Sequence, residues 1–460
     1  MARDTSDTTP LTTRDELIAW FSAGEKPRER FAIGTEHEKI PFYTADHTPV
    51  PYEGERGIRA LLENLGRETG WEPIQDAGNI IGLAGQENGG LGGGAISIEP
   101  GGQFELSGAP LPDIHATAAE LDEHLAATKR AAAPLGIGFL DLGMSPKWTR
   151  EATPQMPKSR YRIMRNYMPK VGKLGLDMML RTATVQVNVD FASEADMVRK
   201  MRVSLALQPI ATALFANSPF TDGRPNGFLS RRSEIWRDTD ADRTGMLPFA
   251  FEEGFGYEAY VDWLLDVPMY FVKRGETYHD VAGASFRDLM AGRLAQLPGE
   301  RATVSDWANH ASTVFPEVRL KRFLEMRGAD VGGPAMIAAQ SAFWVGLLYD
   351  ETALSAAWDL VRGWSTSERE SIRAAVPRLG LHTSIGGRCL GAVAAEALAI
   401  ARTGLQARAR RDGSGRDEAV YLQPLEAIVA AGRSHAEERL ADYEGAWEKS
   451  VDPAFTTCTF

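Results

Sequence analysis

The chain has 460 residues, 43% of them apolar, and a formal net charge of −12, so it can bury a large core. A surface of that sign repels phosphate backbones, which excludes a general nucleic-acid binder, and the longest nearly uncharged apolar run, 336–349, is too short to span a bilayer. With only two cysteines, Cys389 and Cys458, a disulfide framework and thiolate-cluster metal sites are excluded, and any metal must be held by oxygen or imidazole.

Residues 1–12 are polar, carry acidic groups and have no apolar core, which predicts a loosely held tail, neither signal nor transit peptide, and a cytoplasmic location. Residues 13–24 predict a capped amphipathic helix with Leu17, Ile18 and Phe21 on one face. In F-A-I-G-T-E-H-E-K-I (31–40), a strand would place Glu36 and Glu38 on one face and Phe31 and Ile33 on the other. Two like carboxylates side by side need water or a cation to offset their repulsion. The glycine-rich stretch 82–94 predicts a loop. Its formal dinucleotide-fingerprint match at Gly90, Gly92 and Ala95 leads into the β-like A-I-S-I-E-P instead of opening a helix, so it carries no weight.

The same alternation recurs down the chain. Ser97 and Glu99 oppose Ile96 and Ile98; Gln103, Glu105 and Ser107 oppose Phe104 and Leu106. Thr182, Thr184, Gln186, Asn188 and Asp190 oppose Ala183, Val185, Val187 and Val189, and Glu325 and Arg327 oppose Leu324 and Met326. Helical periodicity covers 195–215, 257–265 and most of 335–447, with 336–349 as a buried helix and a Gly/Arg/Asp-rich break at 410–416. The outline is α+β.

Any one of these polar faces, taken alone, reads as the solvated side of an antiparallel sheet. Together they carry Glu, Gln, Asn and Arg beside glycines that permit close approach, which suits the floor of a site. Hard oxygen donors from several strands suit Mg²⁺, which prefers six oxygens at about 2.0–2.1 Å and shares its shell with substrate phosphates. Arginines cluster at Arg160, Arg162 and Arg165, at Arg231, Arg232, Arg237 and Arg243, and at Arg319 and Arg327. Guanidinium grips phosphate or carboxylate through two hydrogen bonds. There is no Walker A sequence and no H-E-x-x-H spacing.

The segments G-T-E-H-E-K, S-I-E-P-G-G-Q-F-E-L-S-G-A-P-L, R-Y-R-I-M-R-N-Y-M-P-K-V-G, T-V-Q-V-N-V-D-F, D-R-T-G-M-L-P-F and F-P-E-V-R-L-K-R-F-L-E-M-R-G-A-D closely resemble glutamate–cysteine ligases of the plant and proteobacterial type, in order over most of the chain. The resemblance implies a glutamine-synthetase-like carboxylate–amine ligase: an antiparallel β-sheet funnel surrounded by helices, a helical C-terminal region, and one catalytic domain over 13–460. It implies L-glutamate, L-cysteine and ATP as substrates, Mg²⁺ as cofactor, no nucleic-acid or membrane partner, and a monomer or homodimer. By the same resemblance, Glu36, Glu38, Glu99, Glu105, Gln186 and Glu325 would hold Mg²⁺. Arg327 would meet ATP phosphate, and Arg232 would meet glutamate. With Glu38 these two form the catalytic set, and Gln186, Asn188, Arg165 and Arg243 would be further ligand-binding groups. A relative using another amine acceptor, and an inactive nucleotide-binding relative, remain the alternatives. Two departures from the plant pattern are an expanded 82–94 loop and Ala183 where a plant cysteine is expected. Cys389 reads as a small core residue and Cys458 as an exposed thiol.

Overall fold

The strand expected around Glu36 runs over Ile33–Tyr43 (β1) and is the centre of the molecule. The chain is described here by a computed structural model covering residues 7–85 and 93–460. Eleven residues make β1 long enough to serve two sets of partners. Its first half pairs with Phe104–Ser107 (β5) on one side and Thr184–Val189 (β7) on the other, and its second half pairs with Ile137–Leu140 (β6). Glu72–Asp76 (β2), Asn79–Ala84 (β3) and Ala95–Ile98 (β4) extend the sheet beyond β5, while Val318–Leu320 (β8) and Leu324–Asp330 (β9) extend it beyond β7. All pairings in this nine-stranded sheet are antiparallel. The expected α+β class and large antiparallel sheet are thus observed.

The back of the sheet is the apolar half of each alternation. Ile33, Val185, Val187, Val189, Leu324 and Met326 are fully buried there. Helix α6 (Glu194–Leu214) packs on β9, and α11 (Pro334–Leu348) packs on β7 and β1. α11 is buried on almost every face, as its uncharged sequence predicts, and Ser341 on it bonds Thr35 of β1 at 2.8 Å. α1 (Arg14–Ser22) precedes the sheet, and between its strands the chain forms α2 (Ile58–Thr69), α3 (Ile114–Ala132), α4 (Ser159–Val171), α5 (Gly175–Arg181), α7 (Arg231–Trp236), α8 (Tyr257–Asp266), α9 (Phe286–Met290) and α10 (Val304–Ser312). α1 begins with the expected cap: Thr13 and Glu16 form a reciprocal capping box. The C-terminal region continues with α12 (Glu351–Val361), α13 (Thr366–Leu379) and α14 (Leu390–Arg408).

Three expectations need correction. The tail is held from Asp7 onward: Leu11 donates to Ala302 O (2.8 Å), Val304 donates to Thr9 O (3.0 Å), and the Leu11 side chain is buried. The two cysteines exchange environments relative to the sequence reading. Cys389 is exposed because it is the N-cap of α14, one residue before the helix enters the core. Cys458 is buried because the C-terminal segment runs along β6, with Asp141 donating to Cys458 O (3.0 Å) and Phe460 to Phe139 O (3.1 Å). Of the expected 82–94 loop, residues 82–84 belong to strand β3 and 86–92 lie outside the described residues with the discounted fingerprint glycines Gly90 and Gly92, while Ala95 opens a strand, β4, in line with its β-like sequence.

The C-terminal helices meet through glycine. A Cβ on Gly404 of α14 would stand 1.9 Å from Gly346 O of α11, and one on Gly346 would stand 2.3 Å from Ala401 O. Both obstacles are backbone, so the helices would have to separate. Gly404→Ala should therefore lower the unfolding free energy by about 1–3 kcal/mol, read from urea denaturation, despite the higher helix propensity of alanine. An unchanged or higher midpoint would contradict the close crossing.

Candidate active site

The polar half of the alternation forms the front of the sheet, and strand register fixes who stands beside whom. Glu36 lies between Gln186 on β7 and Ser107 on β5, Glu38 lies opposite Glu105, and Glu105 lies opposite Ser97 on β4. Glu105 accepts from Ser97 Oγ (3.1 Å) and Ser107 Oγ (3.0 Å), and Glu38 accepts from the Thr184 N–H (3.0 Å). These groups floor an open cleft with about 640 Å³ of empty space, part of it continuous with solvent, lined by Glu36, Glu38, Glu99, Glu105 and Gln186. Its walls are Arg160, Tyr161 and Met164 of α4, Phe271, Ser312, Thr313, Phe315, Arg319 and Arg327. An adjoining lobe of about 540 Å³ shares Glu38, Glu99, Gln186 and Arg327 and opens over Arg232, Trp236, Met178, Met179, Thr182 and Thr184.

The arginines at this floor are organised by one carboxylate beneath it. Glu325 is wholly buried and meets Arg319 at 2.6 Å, Lys321 at 3.0 Å and Arg327 at 2.9 Å. Burial alone would raise its carboxyl, but these three cations hold it well below the ordinary carboxylate range. Arg327 also donates to Gln186 Oε1 and sits against the rings of Trp236 and Phe315. Arg232 flanks Trp236 and donates to the Arg327 carbonyl (2.9 Å).

The opposite side of the floor has the reverse imbalance. Burial, then the Glu105 and Glu99 carboxylates, push the Glu38 carboxyl well above its usual value, against the pull of Arg232. Glu99 would also be raised by burial, but Lys158 and Arg160 bring it below, and the Tyr161 hydroxyl donates to it at 3.0 Å. α4 is delivered to this position by Asp76 at the end of β2, which accepts from Ser159 N (2.6 Å) and Ser159 Oγ (2.8 Å).

Of the residues singled out in the sequence, Glu36, Glu38, Glu99, Glu105, Gln186, Arg232 and Arg327 line the two lobes. Four others do not. Glu325 is committed to three cations under the floor, and Asn188 lies across the open space of Gly34 to donate to Glu36 Oε1 (2.8 Å). Arg243 is fully buried, paired with Asp240 (2.6 Å), donating to the Thr313 and Pro268 carbonyls and stacked 3.9 Å from the Tyr270 ring centre. It fastens the segment that carries Thr313. Arg165 is half-exposed on α4 and outside the lining, whereas Arg160, Tyr161 and Met164 occupy the helix face toward the cavity. That i, i+1, i+4 face was the available signal for Arg160, because it groups Arg160 with Tyr161 and Met164, two of the three apolar residues of the arginine cluster.

Among the described residues no three His, Cys, Asp or Glu side chains converge tightly enough to cage a metal ion. The carboxylates face a polar cleft whose walls include guanidinium and aromatic groups. Fold and cleft together define an α+β protein whose large antiparallel sheet floors a cleft lined by carboxylates and guanidiniums. Residues 32–457 match the family described as glutamate-cysteine ligase family 2, and the chain belongs to it. It is 54% identical over 448 residues to a chloroplastic glutamate–cysteine ligase of Arabidopsis thaliana, covering 97% of this chain and 83% of that one. It is 52% identical to chloroplastic glutamate–cysteine ligase B of Oryza sativa subsp. japonica, covering 97% and 87%. A glutamate–cysteine ligase of Francisella tularensis, solved in complex with AMP, shares the fold at a TM-score of 0.50 and 12% identity, over 88% of this chain and 82% of that one. The cytoplasmic expectation does not stand, because these plant relatives are named as chloroplastic.

The two kinds of carboxylate make opposite stability predictions. Glu38 has a raised folded value, so in the ligand-free protein its contribution is present at low pH and is lost as pH rises through that value. Glu325 has a depressed folded value, so its contribution is present above the ordinary carboxylate range and is lost as pH falls through the depressed value. At neutral pH, Glu38→Gln should leave the ligand-free melting midpoint unchanged or higher. Glu325→Gln should cost about 3–5 kcal/mol because it strands buried cations. Calorimetry of both variants checks this, and a stable Glu325→Gln protein would contradict the assignment of Glu325 beneath the floor.

Proposed function

We propose that this chain joins the γ-carboxylate of L-glutamate to the amine of L-cysteine, using ATP, through a γ-glutamyl phosphate that gives γ-glutamylcysteine. The observation that carries the reading is a single cleft with four carboxylates, Glu36, Glu38, Glu99 and Glu105, facing the guanidiniums of Arg160, Arg319, Arg327 and Arg232, in a chain of this family.

The reaction must bring a carboxylate to the γ-phosphorus of ATP, two anions that repel, so its barrier is lowered by positioning and by positive charge already in place. Arg327 holds phosphate: Glu325 and Gln186 fix its guanidinium, and Trp236 and Phe315 flank the plane, so the fork is oriented before substrate arrives. Arg232, anchored on the Arg327 carbonyl, holds the glutamate carboxylate in the adjoining lobe. Phe271, Phe315, Met164 and Trp236 supply the apolar walls that keep water from the acyl phosphate.

Mg²⁺ fits the donor set. Glu38 is crowded by Glu105 and Glu99, and these carboxylates face the cleft together with Glu36 and Gln186 as oxygen donors. Glu36, Glu38, Glu99, Glu105 and Gln186 would hold it, and the ion when bound offsets phosphate charge. Carboxylates that crowd one another without forming a closed cage suit an ion that keeps waters and substrate phosphates in its shell.

ADP release should require Mg²⁺, glutamate and cysteine together, with γ-glutamylcysteine identified by mass spectrometry. Arg327→Lys should lose at least about 100-fold in kcat/KM, because one ammonium does not reproduce the oriented fork. Equal product formation with another amine in place of cysteine would replace this reading by a ligase of different acceptor specificity. No turnover with any amine would favour the inactive relative.

A further inference from the structure

β9 changes register against β7 between Met326 and Ala329: Arg327 and Gly328 together stand opposite Gln186, an insertion of one residue in the strand. Bulges of this kind redirect a side chain. On the cleft side of the insertion, the Arg327 guanidinium reaches Glu325 and Gln186, and its carbonyl accepts Arg232 Nη2. The aim of both arginines therefore depends on the path of this short piece of backbone.

From the back of the sheet, α6 grips the same piece. Thr212 Oγ1 donates to Gly328 O at 3.0 Å. One turn earlier on that helix face, Gln208 presses its side chain against Gly328: a Cβ added there would stand 2.2 Å from Gln208 Nε2 and 2.8 Å from its Cγ and Cδ. Gln208 is buried, and among the described residues neither its Nε2 nor its Oε1 has a hydrogen-bond partner. An unpaired buried amide costs about 1–3 kcal/mol, so global stability does not explain its presence. Gly328 does not have a positive φ, so the backbone itself does not demand glycine. The obstacle to a larger residue at 328 is the amide of Gln208.

We propose that Gln208 is a positioning residue for the ligation site: with Thr212 it fixes the Arg327–Gly328 insertion, and through it the aim of Arg327 and Arg232. The inference rests on the assignment of these arginines to ATP phosphate and glutamate. Its signature is energetic coupling between positions 208 and 328, neither of which lines the cleft.

The test is steady-state ligation kinetics, with ATP and glutamate each varied, on the wild type, Gly328→Ala, Gln208→Ala and the double variant, beside melting curves. Gly328→Ala should lower kcat/KM for both substrates about tenfold in the wild-type background and less than about threefold in the Gln208→Ala background, where the shortened side chain leaves room for the methyl. Gln208→Ala alone should raise both KM values about threefold. Equal losses from Gly328→Ala in the two backgrounds, or none in either, would overturn the proposal. So would a Gln208→Ala enzyme whose melting midpoint falls while its KM values stay put, the pattern of a purely structural residue. If Gly328→Ala alone does not fold, the double variant against Gln208→Ala decides: rescue of folding and activity supports the coupling, and failure to rescue overturns it. Wild-type ligation is the control, since a wild type without turnover refutes the ligase reading itself, whereas a working wild type without coupling refutes only the role of Gln208.

Discussion

One buried carboxylate surrounded by three cations organises the cleft. Glu325 takes Arg319, Lys321 and Arg327 within 3.0 Å, in a position with no exposure to solvent. Removing one partner of such a group strands charge in a low dielectric, so the arrangement is rigid by necessity. It also leaves excess positive charge under one side of the floor, where Arg319 and Lys321 feel the Glu36 carboxylate as well as that of Glu325. The other side, around Glu38, Glu99 and Glu105, has excess negative charge. The floor is thus polarised: fixed guanidiniums where phosphate charge would sit, and crowded carboxylates where a divalent cation would sit.

The walls transmit constraints from distant parts of the sequence to this floor. Asp76, at the end of the β2 strand, caps the start of α4, and α4 in turn brings Arg160 and Tyr161 to Glu99. Arg243, itself outside the cleft lining, locks the segment that ends in Thr313 at the cavity wall. Helix α6 braces the Arg327–Gly328 insertion from behind. Each of these is a second layer of contacts that sets the orientation of the groups facing the cleft, and the chain devotes buried polar side chains to it.

Strand alternation made the floor legible. The period of two placed Glu36, Glu38, Glu105 and Gln186 on common faces, and the observed register puts them side by side. The arginines were not legible in the same way, because charge clustering in sequence carries no direction. Arg165 and Arg243 belong to the same short clusters as Arg160 and Arg232, and only the helix face of α4 and the ion pair with Asp240 separate wall from scaffold. Alternation also fails at the insertion in β9, where one irregularity between Met326 and Ala329 resets the pattern. Glu325 satisfied the alternation rule and still lies under the floor, since periodicity gives a face and not a depth. The cysteines misled for a related reason: Cys389 sits at the boundary of an apolar helix, and Cys458 lies on a terminal segment that pairs with β6.

The polarised floor is tested most directly by the melting midpoint of the wild-type protein with a non-hydrolysable ATP analogue alone, with Mg²⁺ alone, and with both. Ligand that binds the folded state stabilises by mass action, and a cation site built jointly by carboxylates and phosphate is complete only when both are present. The expected result is a rise with both that clearly exceeds the sum of the separate shifts, and that shrinks in Glu38→Gln. A full shift with the nucleotide analogue alone, unchanged by Mg²⁺ and by Glu38→Gln, would contradict the role assigned to the carboxylate floor.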